Sequence, residues 1–346
     1  MTHQTQASPT PPPKRRNSGL DAMRALAALL VVAIHFGGTR IGTDAESLAS
    51  LIVNAEVRVA VPLFFMLTGY YYESMVARGC FGHHLRKLLT MAVGATLLYF
   101  FYELALSWHN GSLNSFLGKL LSVDSWTNWL IFNNVWFASH LWFFYAAVYA
   151  LFVMRFLDII KLQRWLPALA AMLLAVMWVS IDVPQNYYTR NFLFFALPYM
   201  VLGRWLQSAK MRQRLNSFSR RKLLAMLTVG LLLVAGETIW MALSRQPLSP
   251  MRETFAGTLI CAICLFELFV RCPNESGRLW HFSQLVGRKY SAYIYILHII
   301  VGHRIAGFFD TDSLCVAIFI SVPVIFIISL FLSYLYIDWM KPRLKH

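Results

Sequence analysis

The sequence predicts an all-α, polytopic membrane protein with about ten transmembrane helices. Of its 346 residues, 58% are hydrophobic and 14% are charged, whereas soluble domains carry about 25% charged residues. The apolar residues occur in runs of about 20, the length that crosses a bilayer as a helix. The composition also excludes a disordered chain, a collagen and a disulfide-stapled secreted domain.

Ten apolar runs are predicted to span the membrane. They cover approximately residues 20–38, 50–72, 88–108, 140–157, 165–182, 191–208, 222–243, 254–271, 289–309 and 314–338. The stretch 113–138 alternates aromatic and polar residues, so we expect an interfacial or re-entrant segment there. Residues 18–340 thus form one predicted membrane domain. It follows a polar, proline-rich tail at 1–17, which we expect to be disordered in the cytoplasm.

The distribution of basic residues predicts the orientation. The chain carries a net charge of +15. If the N-terminus is cytoplasmic and the spans alternate, 23 of the 31 Lys and Arg residues lie on the cytoplasmic side and six on the other, while Arg24 and Arg58 lie within spans. The positive-inside rule then predicts that both termini are cytoplasmic. The same bias explains the basic character, so we expect membrane lipid and no nucleic acid as a partner.

Two of the five cysteines, Cys261 and Cys264, form a C-x-x-C motif inside an apolar run. A redox motif of this type accompanies a βαβ pattern, and a zinc site needs two more ligands. We therefore expect both thiols to behave as small buried hydrophobes. No bound metal is expected.

The first span carries three ionisable side chains, and ionisable groups inside a bilayer are candidates for functional roles. Asp21 and Arg24 are three residues apart and can pair on one helix face. His35 follows Arg24 by eleven residues, which is three turns plus about 20°, so the two share a face about 16 Å apart along the axis. One face therefore carries a cation near the cytoplasmic end and an imidazole, which suits general-base work, near the other end.

Five short motifs follow one another along the chain. The first is Leu20-Asp21-x-x-Arg24-x10-His35. The others are 58–70 (RVAVPLFFMLTGY), 140–144 (HLWFF), 203–204 (GR) and 291–298 (SAYIYILH). In this order they resemble the motifs of the acyltransferase 3 family. These are integral membrane acyltransferases, many of which modify bacterial surface carbohydrates. Within the family the chain most resembles the enterobacterial common antigen O-acetyltransferases, which have a similar length and no extra soluble domain.

The chain departs from the family pattern at several positions. The loop after the second helix often carries R-x-x-R, but here His83 replaces the first Arg and leaves Arg86; His83 and His84 are expected to be solvated. Thr68 replaces a common Ser and keeps the hydroxyl, and Ala292 replaces a common Tyr. Larger members carry a C-terminal hydrolase-like domain that handles the acyl group. Here we expect the membrane domain, or a partner in polysaccharide assembly, to perform that step.

The resemblance implies acyl-CoA, most simply acetyl-CoA, as the cytoplasmic donor and a hydroxyl of a cell-surface or lipid-linked carbohydrate as the acceptor. It also implies the bacterial inner membrane as the location. His35 then acts either as the general base for the hydroxyl or as a covalent carrier of the acyl group. Arg24 stays charged and suits CoA phosphates or the thioester oxygen. Asp21 is expected to orient Arg24.

Further residues are expected to bind substrate: Arg58, Arg86, His140, Trp142, Tyr295 and His298. Some have a structural alternative. Arg58 can belong to a buried ion pair, Trp142 can either stack on a sugar or lie in an interfacial belt, and His298 can be a hydrogen-bonded core residue. Three glutamates in apolar runs are expected to pair with intramembrane arginines and receive no catalytic role: Glu103, Glu237 and Glu267.

Two other classes of protein stay open on the sequence. A transporter or flippase of a lipid-linked sugar also has many spans and intramembrane charges. A structural component of a polysaccharide-assembly complex is the other alternative. Transporters often show paired halves with broken helices, which the sequence lacks, and the spacing of Arg24 and His35 favours the enzyme.

Overall fold

The computed structural model describes residues 17–37, 45–179, 189–244, 253–272, 276–309 and 313–343. Within these ranges every regular element is helical, which confirms the all-α fold. We number the helices α1 (Ser18–Phe36), α2 (Glu46–Ala77), α3 (Phe81–His109), α4 (Leu113–Leu121), α5 (Val123–Leu130), α6 (Ser139–Ile159), α7 (Gln163–Val179), α8 (Phe192–Gln207), α9 (Ala209–Asn216), α10 (Arg220–Ser244), α11 (Ala256–Val270), α12 (278–305) and α13 (Leu314–Arg343). The predicted disordered tail lies outside the described residues, except for Asn17.

Each predicted span corresponds to a helix in the described ranges. Six helices are long and apolar enough to cross a bilayer, namely α1, α2, α3, α6, α10 and α13. The shorter apolar helices α7, α8 and α11 match the fifth, sixth and eighth runs. The ninth run falls on α12, which begins at residue 278 and so extends beyond the run. The polytopic membrane architecture therefore follows from both the sequence and the structure.

The expected loop between the second and third spans is in fact the start of α3. This helix begins at Phe81, so His83, His84 and Arg86 belong to its first two turns. Leu85 lies at helical spacing before the apolar residues of α3 and packs against the main hydrophobic core of the bundle. Apolar packing at helical spacing therefore extends the helix by two turns beyond the hydrophobic run.

The stretch 113–138 forms two short helices, α4 and α5, followed by turns. Phe116 of α4 is buried, and Trp126 of α5 is exposed and stacks on Trp129 with ring centroids 5.3 Å apart. The exposed and half-buried aromatic residues of this stretch fit the expected interfacial segment. Asn133 in the following turn adopts a positive φ of 62°, a conformation that Asn tolerates better than most residues.

Helix α2 is interrupted at Arg58 and Val59, where the chain forms a turn. Pro62 explains this break, because proline has no N–H to donate and its ring crowds the carbonyl four residues earlier, which is that of Arg58. The break places Arg58 inside the bundle at a point where its backbone is not in regular helical geometry.

Two glycines of the family-like motifs let α2 and α8 cross closely. A Cβ on Gly203 would collide with the carbonyl oxygen of Met66, and a Cβ on Gly69 would collide with that of Met200. The neighbouring Arg204 bridges α8 to Glu73 at 2.7 Å and to Asp158 at 2.8 Å. These motif positions therefore fix the helix crossing.

Replacing Gly203 with Ala is expected to destabilise the protein by about 1–3 kcal/mol, since the added methyl group overpacks a backbone contact that cannot yield easily. Thermal unfolding of the purified protein in detergent measures this. The matched control is Gly236→Ala in α10, where nothing lies within 4 Å of the added Cβ. Equal unfolding temperatures for the two variants would contradict the close-crossing explanation.

Candidate active site

A close contact between α1 and α12 builds one end of the site. Helix α12 contains a π-helical turn at Val286–Tyr290, a feature often found at functional sites. A Cβ on Gly287 in this turn would collide with the carbonyl oxygen of Asp21. Asp21 is 5% exposed, and its Oδ1 accepts a hydrogen bond from Nη1 of Arg24 at 3.0 Å. The predicted pairing of Asp21 and Arg24 is therefore present, next to α12.

The basic cavity, as we call it, has a volume of about 220 Å³ and lies between α1, α2, α3, α6 and α12. Its charged lining consists of Arg24, Lys87 and Arg288, with His84 beside them. Lys87 and Arg288 are exposed, so the cationic end of the cavity opens at the surface of the protein. An arrangement of three cations around one opening is chemically suited to anionic oxygens.

Aromatic side chains form the inner wall of the basic cavity. Phe143, Phe144 and Tyr295 line it together, and the centroid of the Tyr295 ring lies 5.4 Å from that of each phenylalanine. The Tyr295 hydroxyl donates a hydrogen bond to the backbone carbonyl of His140. Its ring also lies 5.8 Å from the ring of His298. Tyr295 therefore connects the basic cavity to a second group of residues.

That second group is the histidine cluster, which consists of His35, His140 and His298. The His298 centroid lies 5.1 Å from that of His35 and 5.6 Å from that of His140. His140 and His298 are 4% and 0% exposed, whereas His35 is exposed. Tyr99 packs edge-on against His140 at 4.5 Å. His35 is thus the cluster member that a substrate can reach.

Two ring nitrogens of the histidine cluster lack a hydrogen-bond partner among the described residues. They are Nε2 of His140 and Nε2 of His298. Nδ1 of His298 lies 2.6 Å from the carbonyl oxygen of Tyr295. Because a carbonyl only accepts, Nδ1 carries the proton and Nε2 keeps a free lone pair. A buried acceptor without a partner is costly, and a bound hydroxyl or water would satisfy it.

An arginine pair lies beside the histidine cluster and shares one carboxylate. Nη1 of Arg58 contacts Oε2 of Glu253 at 2.8 Å, and Nη1 of Arg190 contacts Oε1 at 3.5 Å. Nε of Arg58 donates a hydrogen bond to Oδ1 of Asn54 at 3.1 Å, and Nδ2 of Asn54 donates one to the carbonyl oxygen of Ile34, the residue before His35, at 2.9 Å. The pair was not predicted, because Arg190 and Glu253 lie at the ends of runs and gave no periodic signal. Arg58 is therefore in an ion pair with Glu253 and is also linked through Asn54 to α1 next to His35.

Trp142 lies inside the bundle. It is 4% exposed and packs against Phe65 and Phe195, so it does not belong to an interfacial belt. The guanidinium of Arg190 lies over its ring, 5.7 Å from the centroid. Stacking of a sugar on Trp142 stays a prediction.

Arg86 is exposed and lies outside the basic cavity. The cavity is lined by Lys87 of the same helix instead. Residues 84, 87, 88 and 91 all line the cavity, and this spacing places them on one face of α3. At about 100° per residue, Arg86 points about 150° away from the middle of that face. A third helix that starts at residue 88 does not contain this face, whereas the helix observed from Phe81 does.

Two of the three glutamates in apolar runs have contacts that join helices. Glu267 is fully buried and forms ion pairs with Arg212 and with Arg271, the latter at 2.8 Å. Its partners are arginines, but they come from the segments counted on the cytoplasmic side and not from Arg24 or Arg58. Glu103 forms no ion pair with an arginine of the described residues. One carboxylate oxygen of Glu237 accepts hydrogen bonds from the first backbone N–H groups of α11, at 2.9 and 3.3 Å. That position suits a carboxylate because helix N-termini are electropositive.

Cys261 and Cys264 are buried free thiols, as expected for small apolar side chains. In the described ranges, no group of three or more His, Cys, Asp or Glu side chains is arranged to hold a metal ion. The histidine cluster falls within these ranges, so its three rings are not placed as ligands of one ion.

Apolar helices that enclose a basic cavity and buried histidines define an integral membrane protein with a polar site inside the bundle. The family model described as an acyltransferase domain, that of the acyltransferase 3 family, matches residues 17–338. Because this match covers nearly the whole chain, the protein belongs to the acyltransferase 3 family. The resemblance found in the motifs is thereby confirmed, and membership supports an acyltransferase over a transporter.

Partial similarity extends to two enterococcal proteins. The chain is 32% identical over 141 residues to a serine/alanine racemase of Enterococcus gallinarum, and 33% identical over 144 residues to an amino-acid racemase of Enterococcus faecalis. The aligned regions cover 38% and 39% of this chain but 18% of each relative. The chain thus spans less than a fifth of these relatives, and their names describe the longer proteins. No solved structure shows significant similarity.

Proposed function

We propose that the protein transfers an acyl group, most simply acetyl, from acyl-CoA to a hydroxyl of a cell-surface or lipid-linked carbohydrate. The observation that carries this proposal is the position of two different sites at the two ends of α1. The basic cavity lies at Arg24, and the histidine cluster lies at His35, with Tyr295 between them. The phosphates of the donor need a cationic site and the hydroxyl of the acceptor needs a base, so two separate sites suit this reaction.

The donor enters at the basic cavity. Arg24, Lys87 and Arg288 bind the phosphates of CoA through charge-assisted hydrogen bonds, and Asp21 holds Arg24 in place. The aromatic inner wall suits the flexible pantetheine arm. This arm carries the thioester past Tyr295 toward the histidine cluster, about 16 Å along α1 from Arg24.

The acceptor hydroxyl reacts at His35. As general base, a neutral His35 removes the hydroxyl proton while the oxygen attacks the thioester carbonyl; the C–S bond then breaks and CoA leaves as the thiol. As covalent carrier, a nitrogen of His35 attacks the thioester, the C–S bond breaks and CoA leaves as the thiol; the hydroxyl oxygen then attacks the acyl-imidazole, the C–N bond breaks, and the released imidazole takes up the hydroxyl proton. The free lone pair on Nε2 of His298 supports either route, because it can accept a proton and orient the neighbouring ring.

The proposed orientation in the membrane places the basic cavity and the histidine cluster toward opposite sides. We place both termini in the cytoplasm and the protein in the bacterial inner membrane, on the strength of the 23-to-six distribution of basic residues. The basic cavity then opens to the compartment that contains acyl-CoA. The histidine cluster lies toward the opposite side, where carbohydrates of the cell surface are modified. Partners in polysaccharide assembly would supply the acceptor.

Transfer of label from acetyl-CoA tests the proposed function. Inverted membrane vesicles that contain the protein receive acetyl-CoA labelled in the acetyl group, and the saccharide fraction is then extracted. We expect base-labile label on a saccharide, and none with vesicles that lack the protein. A transporter or a structural component would leave the saccharide unlabelled, and that result would contradict the proposal.

A further inference from the structure

A second cavity, which we call the apolar crevice, lies between α7, α8 and α11 and has no part in the steps above. Its volume is about 500 Å³, within the range of pockets that bind small organic ligands. Hydrocarbon makes up nearly all of its lining, which includes Pro167, Ala171, Ala175, Leu202, Leu259 and Ile263. A site with this lining selects an apolar ligand.

The apolar crevice is long and has a tryptophan near each end. Pro167 and Trp178 of α7 both line it, and eleven helical residues correspond to about 16 Å. Trp178 hydrogen-bonds to Glu237 of α10, which also contacts the backbone at the start of α11, whereas Trp205 lies near the end of α8. Tryptophan is enriched at both surfaces of a bilayer. The shape therefore fits a hydrocarbon chain that lies along the membrane depth.

One end of the apolar crevice adjoins the candidate active site. Thr254 lines the crevice, and its hydroxyl hydrogen-bonds to that of Tyr199 at 3.1 Å. The preceding residue is Glu253, the carboxylate that joins Arg58 and Arg190. The crevice lining and the carboxylate that joins the arginine pair are thus consecutive residues of the chain.

The arginine pair suits an anionic group. Two guanidinium groups share one carboxylate, which leaves one positive charge in excess. Nε of Arg190 is buried and lacks a hydrogen-bond partner among the described residues. Planar guanidinium groups bind phosphate oxygens well. A ligand with a phosphate at the arginine pair and a chain in the crevice would satisfy both features.

We propose that the apolar crevice binds the hydrocarbon chain of the acceptor, a lipid-linked sugar whose phosphate contacts Arg58 and Arg190, so that its sugar reaches His35. This inference rests on the proposed function, since it names the class of acceptor for the same reaction. It also gives the arginine pair a role. By holding the phosphate, the two arginines fix where the sugar begins and therefore which hydroxyl reaches His35.

Binding of polyisoprenyl phosphate to the purified protein tests the inference, with native mass spectrometry or tryptophan quenching as the readout. Ala171→Phe fills the crevice from an exposed position. If the ring displaces two or three methylene groups, affinity falls roughly 15- to 60-fold, since each buried methylene contributes about a factor of four. Ala168→Phe is the matched control, because Ala168 is also exposed on α7 but does not line the crevice.

The phosphate contact is tested with Arg190→Gln. We expect this variant to bind polyisoprenyl phosphate about tenfold or more weakly and to bind the polyisoprenol of the same length, which lacks the phosphate, as the parent protein does. Equal binding by Ala171→Phe and Ala168→Phe would overturn the inference. Displacement of polyisoprenyl phosphate by an equal amount of phosphatidylglycerol would also overturn it, because the crevice would then be a general lipid site.

Acetyl transfer in vesicles separates this inference from the proposed function. If the parent protein labels a saccharide and Ala171→Phe does so at the same acceptor concentration and rate, the crevice assignment fails and the proposed function stands. If the parent labels nothing, the proposed function fails, and so does the assignment of the chain to an acceptor. A rate lowered in Ala171→Phe and kept in Ala168→Phe supports both.

Discussion

Replacing His35 with Ala is expected to lower the rate of acetyl transfer by about 10²- to 10⁴-fold, the usual contribution of a general base. His35 is the accessible member of the histidine cluster, and its ring lies 5.1 Å from that of His298. No other accessible histidine in the described ranges makes that contact. Initial rates with labelled acetyl-CoA in vesicles measure the effect, after expression levels are matched.

His303→Ala is the control for this result. His303 is also exposed and contacts Phe36, which follows His35 on α1, with ring centroids 6.1 Å apart. It lies outside the histidine cluster, so its removal should change the rate only a few-fold. Retention of more than about a tenth of the activity in His35→Ala would argue against both general-base and covalent roles. Acetyl label on the denatured protein, formed without acceptor and lost in His35→Ala, would select the covalent route.

Replacing Lys87 with Gln is expected to raise the KM for acetyl-CoA about 10- to 100-fold and to leave kcat nearly unchanged. A hydrogen bond to a charged group contributes about 1.5–3 kcal/mol, and a contact made equally before and during the reaction affects KM alone. Arg24→Lys should act in the same direction, because lysine lacks the planar fork that binds phosphate oxygens. Initial-rate kinetics over a range of acetyl-CoA concentrations give both constants.

Arg86→Gln is the matched control, since Arg86 is the neighbouring cation on α3 but lies outside the basic cavity. We expect its KM to stay close to that of the parent. The second control is acetyl-pantetheine, a donor that lacks the nucleotide phosphates, for which Lys87→Gln should have little effect. A raised KM in Arg86→Gln with a normal KM in Lys87→Gln would show that the family-like motif, and not the cavity, locates the donor.

Much of this protein's secondary structure can be predicted from short stretches of its sequence. The length that spans a bilayer and the period of the α-helix depend on short stretches of sequence. The ten runs, the pairing of Asp21 with Arg24 and the shared face of Arg24 and His35 were therefore predictable. The start of α3 was not, because its first two turns are polar and are helical through packing of Leu85 on the core.

The sequence by itself determined the all-α membrane fold, the family and the placement of a cation and an imidazole at opposite ends of α1. The tertiary structure decided which residues meet them. His140 and His298 come from α6 and α12, and Glu253 joins two arginines that lie far apart in the chain. Such contacts depend on how glycines and bulky side chains let helices cross, which is a property of pairs of helices and is not encoded in the periodicity of either one alone.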